Sequence, residues 1–459
     1  MSHTSEYKFA ESKESDHREG LYSKYKPWIQ TTFCSLLGFV HIGFLYNFGL
    51  FFDKLQVEFQ SNVALTGWIG SISYSLFSFG TIFSTWLLRH LSHRKVGIIA
   101  VLLGSASLFV CSLSPTIVYV IISYGVFYGL SSNITMIVAF DLVVKLFQDK
   151  QREMAIALVL LGLLATVGNL SMSNMIEYIL DQVGWRWTFR IFCGILLIVG
   201  IICCTFYIAP KTDEQCVVVL DEKTKRISKR PTNGHLFCFP EFWLFSLSTL
   251  CVSVALVFQY VNMASFLESI GLTDQKSATG ITLIACGEVF AKIVIMVFAS
   301  CISFPLIYCL PVSLLVSSIL SITLTQTKNT FAIFLISVCY GIPRGVYNGL
   351  QFISAMEVFG ASRSKTSAKV VMVSSGIGNL AGPFIHGSLY DASGSYYPAL
   401  YLCTALFFVS SFTMLLTPLW QKYFAPERYM VDYRLESEVK EYQQCSAEYE
   451  HLEQMITVV

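Results

Sequence analysis

Charge is what this sequence has least of. Only 13% of its 459 residues are Asp, Glu, Lys or Arg, against about 25% in an ordinary soluble domain. The formal net charge is +1, so the chain lacks the basic field that nucleic-acid binding requires. Also missing are C-x-x-C pairs, Cys/His metal spacings, a nucleophile elbow and a phosphate-cradling glycine loop. An enzyme is therefore unsupported, and neither a metal site nor a cofactor is expected. The 14 cysteines fall mostly inside apolar runs, as Cys111, Cys203, Cys204, Cys251, Cys286 and Cys339 do, and read as small apolar filler rather than a disulfide framework. The first 26 residues carry five bases and five acids without an apolar core, so no cleaved signal peptide is expected and the N-terminus is assigned to the cytosol.

What the chain does have is long apolar runs, with 54% hydrophobic residues overall. Crossing a bilayer core about 30 Å thick takes roughly 20 residues of apolar helix. Scanning at that length predicts twelve spans: 28–52, 67–88, 96–113, 117–141, 154–177, 188–209, 240–266, 279–300, 302–324, 331–356, 367–389 and 397–420. The expected fold class is an all-α membrane protein with two six-helix bundles: a cytosolic tail (1–27), a first bundle (28–209), a cytosolic linker (210–239), a second bundle (240–420) and a cytosolic tail (421–459). This is the plan of transporters built from repeated halves. With both termini inside, the predicted inner segments hold 24 Lys and Arg and the outer loops four, as the positive-inside rule demands. The weakest point is the uncharged turn "SCISF" at 300–304. The acidic C-terminal tail ends in Thr457-Val458-Val459, a pattern that adaptor domains adding a strand can capture.

An ionisable side chain at mid-bilayer costs some ~2.5 to 3.5 kcal/mol on insertion scales, so the few charges within spans are the candidate functional residues. Glu288 and Lys292 lie mid-way along the eighth span, Arg344 mid-way along the tenth, and Asp141 with Lys145 toward the cytosolic end of the fourth. Four helical residues turn about 400°, so Lys292 returns to the face of Glu288, about 6 Å along the axis. Arg344 sits in "YGIPRGVYNG", where Pro343 and the flanking glycines predict a broken helix. Its guanidinium fork suits a carboxylate, with pairing to Glu288 or Asp141 as the alternative. His41, Asn47, Asn133, Gln259, Asn262 and His386 are expected to hydrogen-bond between helices. His41 is also a proton-coupling candidate, because an unperturbed imidazole titrates near about 6.5.

Several of these stretches resemble the monocarboxylate transporter family of the major facilitator superfamily. "NFGLFF" (47–52) with "GWIGSI" (67–72) is similar to the family's first two helices, "DKQREMAIALVLLG" (149–162) to its fifth, "GWRWTFRIF" (184–192) to the start of its sixth, and "SSGIGNLAGPFIHGSLYDASGSYYPALYL" (374–402) to its eleventh and twelfth. The resemblance implies a carrier of small organic acids working by alternating access, with Glu288 and Lys292 on the family's eighth-helix acid and base positions. It places Tyr46 where proton-coupled members have an anion-binding lysine, and Arg89 where an aspartate is usual. Arg344 is then a candidate replacement for that lysine, and Tyr46 and Asn47 are expected to line the pocket with Lys292 and Arg344. Glu288 and His41 are the proton-coupling candidates, and Asp141, Lys145, Lys150 and Arg152 are assigned to gating between the bundles. Candidate partners are a small organic anion, protons, the bilayer, a single-span accessory glycoprotein and a C-terminal adaptor; the plasma membrane is the expected location. The alternatives are a pH-independent facilitator of aromatic or other amino acids or hormones, and a sensor or scaffold with a transporter fold.

Overall fold

The computed structural model describes residues 3–61, 63–147, 150–209, 238–298, 304–360 and 364–426. Most of the expected linker, four residues of the uncharged 300–304 turn and the tail from residue 427 lie outside them. The described residues form helices and no strand. A bilayer offers no water to the backbone, so each apolar run must satisfy its own amides and carbonyls, which only a helix does within one segment. Hydroxyls inside the runs are folded back in the same way: Ser35, Thr85 and Thr249 donate to carbonyls one turn earlier at 2.8 to 2.9 Å.

We number the helices α1 (His3–Tyr46), α2 (Gly49–Phe59), α3 (Val63–Phe79), α4 (Thr81–His90), α5 (His93–Ser112), α6 (Ile117–Leu146), α7 (Gln151–Thr205), α8 (Pro240–Ser269), α9 (Asp274–Phe298), α10 (Cys309–Gln326), α11 (Thr330–Phe359), α12 (Ser364–Ser393) and α13 (Tyr397–Phe424). Ten described helices are long and apolar enough to cross a membrane. Two of the twelve expected spans are hidden from that count. α7 holds the fifth and sixth in one helix bent at Gly184, whose φ of 78° lies in the left-handed region that glycine tolerates. The second span is divided at Gly80 into α3 and α4, of 17 and 10 residues. The chain therefore has the twelve-span, all-helical plan.

The interruptions fall elsewhere than expected. The sequence predicts a break at Pro343, yet α11 runs unbroken from Thr330 to Phe359. A proline removes one amide donor, whereas the glycines around it remove side chains exactly where a neighbour must come close. A Cβ on Gly341 would fall on the Ile284 carbonyl, and one on Gly345 would lie 2.6 Å from the Glu288 carbonyl oxygen. Gly287 on α9 meets the Val338 carbonyl in the same way. These glycines let α9 and α11 pack backbone to backbone. Besides the division at Gly80, the bend at Gly184 and a π-helical stretch at Ile121–Tyr128 within α6, the first helix of each half is interrupted. α1 stops at Tyr46, where Asn47 donates to the Gly43 carbonyl at 2.8 Å and to Asn169 of α7. α8 contains a π-helical turn at Phe258–Asn262.

Overpacking a close helix contact costs typically about 1 to 3 kcal/mol. Gly341→Leu should lower the thermal midpoint of the detergent-purified protein by several degrees, measured by fluorescence-detected size exclusion, whereas Gly387→Leu, whose Cβ meets nothing within 4 Å, should leave it nearly unchanged.

Candidate functional site

The close packing of α9 on α11 brings together charges that lie 56 positions apart in sequence. Glu288 Oε1 accepts from Lys292 Nζ at 2.7 Å, and its Oε2 accepts from Arg344 Nε at 2.7 Å. Asn348, one turn beyond Arg344, donates to Oε1 at 3.2 Å. Glu288, Lys292 and Arg344 are 3%, 2% and 7% exposed. The sequence alternatives for Arg344 resolve into Glu288 as its partner; Asp141 is not.

The cluster crosses to the first bundle. Lys292 Nζ donates to Thr166 Oγ1 at 2.7 Å and to the Gly162 carbonyl at 3.1 Å, both on α7, and the Thr166 hydroxyl also lies 3.2 Å from Glu288 Oε1. Gly162 lies against the ammonium, with Nζ 3.7 Å from where a Cβ would stand, an ordinary van der Waals contact. Arg344 uses only Nε for its carboxylate partner. Its Cζ lies 4.2 Å from the centre of the Tyr260 ring, a cation–π arrangement, the Tyr260 hydroxyl is a further polar neighbour of the guanidinium, and Glu288 is the carboxylate paired with it among the described residues. Tyr260 in turn faces Tyr46 across the bundle boundary, centroids 6.3 Å apart and rings 10° from parallel. Two cations and one carboxylate thus share a buried site, leaving one unbalanced positive charge. That arrangement fits a single carboxylate.

The remaining predicted residues lie apart from this cluster. Asn47 fixes the α1 break, as described above. His41 is enclosed in the first bundle, with Thr135 Oγ1 2.9 Å from Nδ1, Ser131 Oγ 3.2 Å from Nε2 and the Tyr128 hydroxyl donating to its carbonyl. Asn133 ties α6 to α3 and α4 through Phe77, Thr81 and Ser84. Gln259 does not meet the expectation of an interhelical bond: it is buried and neither amide atom has a partner among the described residues.

Asp141 forms a second cluster at the end where α6 stops and α12 starts, which the charge count assigns to the cytosol. Its Oδ2 lies 2.8 Å from His93 Nε2, 3.3 Å from Lys145 Nζ and 3.7 Å from Lys365 Nζ of the second bundle. Phe140 and Phe352 meet across the same boundary with tilted rings, centroids 5.1 Å apart. Lys150 pairs with Glu153 of its own bundle at 2.9 Å, and Arg152 is exposed beside it. A cleft of about 750 Å³ between the ends of α8 and α13 is lined by Trp243, Trp420, Tyr423 and Phe424 among others and carries no charged side chain. It belongs to the lipid-facing aromatic belt rather than to the site.

Sequence reasoning missed Thr166, Tyr260 and Asn348. Asn348 was within reach, because i+4 spacing from Arg344 puts it on the same face. Thr166 and Tyr260 join the cluster only through the packing of one helix on another, which no local pattern displays.

The sequence also matches the family model for the Major Facilitator Superfamily over residues 34–383. The chain belongs to this superfamily. Within it, the chain is similar to monocarboxylate transporter 2 of Rattus norvegicus, 25% identical over 81% of this chain and 80% of that one. Monocarboxylate transporter 4 of the same species is 23% identical, over 82% and 81%. Among solved superfamily structures, the proton:xylose symporter XylE superposes with a TM-score of 0.68 at 13% identity, covering 90% of this chain and 99% of that one. FucP in its outward conformation gives 0.65 at 14%, covering 85% and 99%. These two likenesses show the fold, and with it an integral, multi-pass membrane protein.

Removing one member of a buried ion cluster costs about 3 to 5 kcal/mol, because the charges left behind are unpaired. Glu288→Gln leaves two cations facing each other, whereas Lys292→Met leaves Glu288 paired with Arg344. The first substitution should lower the thermal midpoint more than the second; the reverse order would show that Arg344 is not held by Glu288.

Proposed function

We propose that this protein is a carrier of small organic monocarboxylates, moved by alternating exposure of the Glu288–Lys292–Arg344 site, and that it works at the plasma membrane with both termini in the cytosol. The observation that carries this reading is the charge balance of the site: two buried cations against one buried carboxylate, which meets the guanidinium through Nε alone. One substrate carboxylate on the terminal nitrogens of Arg344 brings the site to neutrality. A dicarboxylate would leave a negative charge buried, at a cost of several kcal/mol. The relatives named monocarboxylate transporters support the same substrate class.

In this mechanism Arg344 binds the substrate anion in place of a first-helix lysine, and Tyr46 closes the pocket from the first bundle. Lys292 bridges the bundles, so substrate occupancy is felt by Gly162 and Thr166 on α7. Glu288 is assigned the proton, which it takes when the substrate carboxylate replaces it on Arg344; His41 lies outside this contact. Asp141, bound to Lys145 on its own helix and to Lys365 on α12, latches the cytosolic side closed while the site faces outward.

The test is uptake by proteoliposomes. Arg344→Ala should abolish uptake of labelled lactate or pyruvate while the protein still reaches the membrane, and unchanged uptake would overturn the assignment. Succinate should be a poor substrate of the parent. Uptake should rise as external pH falls, because the proton is a co-substrate whose outside concentration then increases, and Glu288→Gln should flatten that dependence. A flat profile in the parent would exclude coupling.

A further inference from the structure

Tyr260 of the second bundle lies against the Arg344 guanidinium, and Tyr46 and Tyr74 of the first bundle extend this aromatic group. Tyr46 and Tyr74 have ring centroids 5.5 Å apart, and Tyr46 and Tyr260 lie nearly parallel at 6.3 Å. That separation is near the far end of the about 4.5 to 7 Å range of aromatic pairs, so Tyr46 does not cover the Tyr260 ring. Tyr260 is 48% exposed, although its polar and ring neighbours, Arg344, Asn348 and Tyr46, all belong to the boundary between the bundles. These neighbours place the ring at the boundary between the bundles with about half of its surface uncovered. The π-helical turn at Phe258–Asn262 is what places this ring at the boundary.

We propose, building on the carboxylate reading above, that the preferred substrate is an aryl monocarboxylate, with its carboxylate on the terminal nitrogens of Arg344 and its ring on the open part of Tyr260 beside Tyr46. The guanidinium and the tyrosine ring adjoin, so a carboxylate separated from an aromatic ring by one or two carbons reaches both. The same site disfavours the corresponding amino acids. A zwitterion brings no net charge, so it leaves the surplus positive charge of the Glu288, Lys292 and Arg344 cluster unbalanced and adds an ammonium beside two cations.

Proteoliposome uptake of labelled phenylacetate, cyclohexylacetate, lactate and phenylalanine, corrected for protein-free vesicles, tests the proposal. Phenylacetate and cyclohexylacetate are close in size and hydrophobicity but differ in having a flat π face. Phenylacetate should half-saturate uptake at a roughly three- to tenfold lower concentration than cyclohexylacetate, the advantage expected of one aromatic contact. Phenylalanine should be taken up poorly. Tyr260→Phe should keep the phenylacetate to cyclohexylacetate ratio, and Tyr260→Leu should bring it close to one; the ratio is the readout, whatever the absolute rates. Equal half-saturation of the two acids by the parent, or a ratio that survives Tyr260→Leu, would overturn the aryl assignment. Lactate uptake without any aryl preference would defeat this proposal and leave the monocarboxylate reading standing, whereas no uptake of any organic acid would defeat the monocarboxylate reading itself.

Discussion

The buried carboxylate of Glu288, shared between Lys292 and Arg344, is the interaction on which the rest of the structure depends. An isolated charge there would be expelled or neutralised, since its transfer out of water costs several kcal/mol after relaxation. Each of the three is tolerated because of the other two. The arrangement needs two helices closer together than side chains normally permit, and Gly287, Gly341 and Gly345 provide that approach. The glycines and the charges are therefore one device: without the close approach of α9 and α11, Arg344 would not reach Glu288, and without Glu288 the guanidinium would have no reason to stay inside.

The device also faces outward from its own bundle. Lys292 spends its remaining hydrogen-bonding capacity on Gly162 and Thr166 of α7, so a change in the charge balance around Glu288 alters the bond between the two halves. This gives alternating access a physical lever, since an equilibrium between two arrangements shifts only by differential interaction with them. The Asp141 cluster, toward the expected cytosolic end, holds the halves through Lys365 and the Phe140–Phe352 contact.

Much of this was legible in the sequence and some was not, for a consistent reason. Span number, the bundle plan and the Glu288–Lys292 pairing follow from local rules: hydrophobic length, charge placement and helical periodicity. The pairing of Arg344 with Glu288 was one of two options, and only the packing of α9 on α11 chose between them. The expected break at Pro343 failed because a single lost amide bond does not interrupt a helix braced along one face by a neighbour. Interruptions that do occur, at Asn47 on α1, at Ile121–Tyr128 on α6 and at Phe258–Asn262 on α8, have no proline to announce them. Tyr260 looked like one more apolar aromatic among many. Its place beside Arg344 is a tertiary fact.

The interruptions of α1 and α8 occupy corresponding positions, the first helix of each half, which is where carriers built from repeats put their binding sites. Their effect here is to turn Tyr46 and Tyr260 toward each other over the guanidinium of Arg344. A first-helix lysine would have brought its own charge to the site from the first bundle. This chain supplies the second cation from α11 of the other bundle and gives the first-helix position to a ring. All the full charges then move with one half, while the first bundle contributes a hydroxyl, a carbonyl and aromatic surface. Reorientation of the halves consequently need not break an ion pair at the site; it exchanges the weaker Lys292 contacts to α7 and the Tyr46–Tyr260 contact. Such a site is held together by charge within one bundle and opened by polar and aromatic contacts between two.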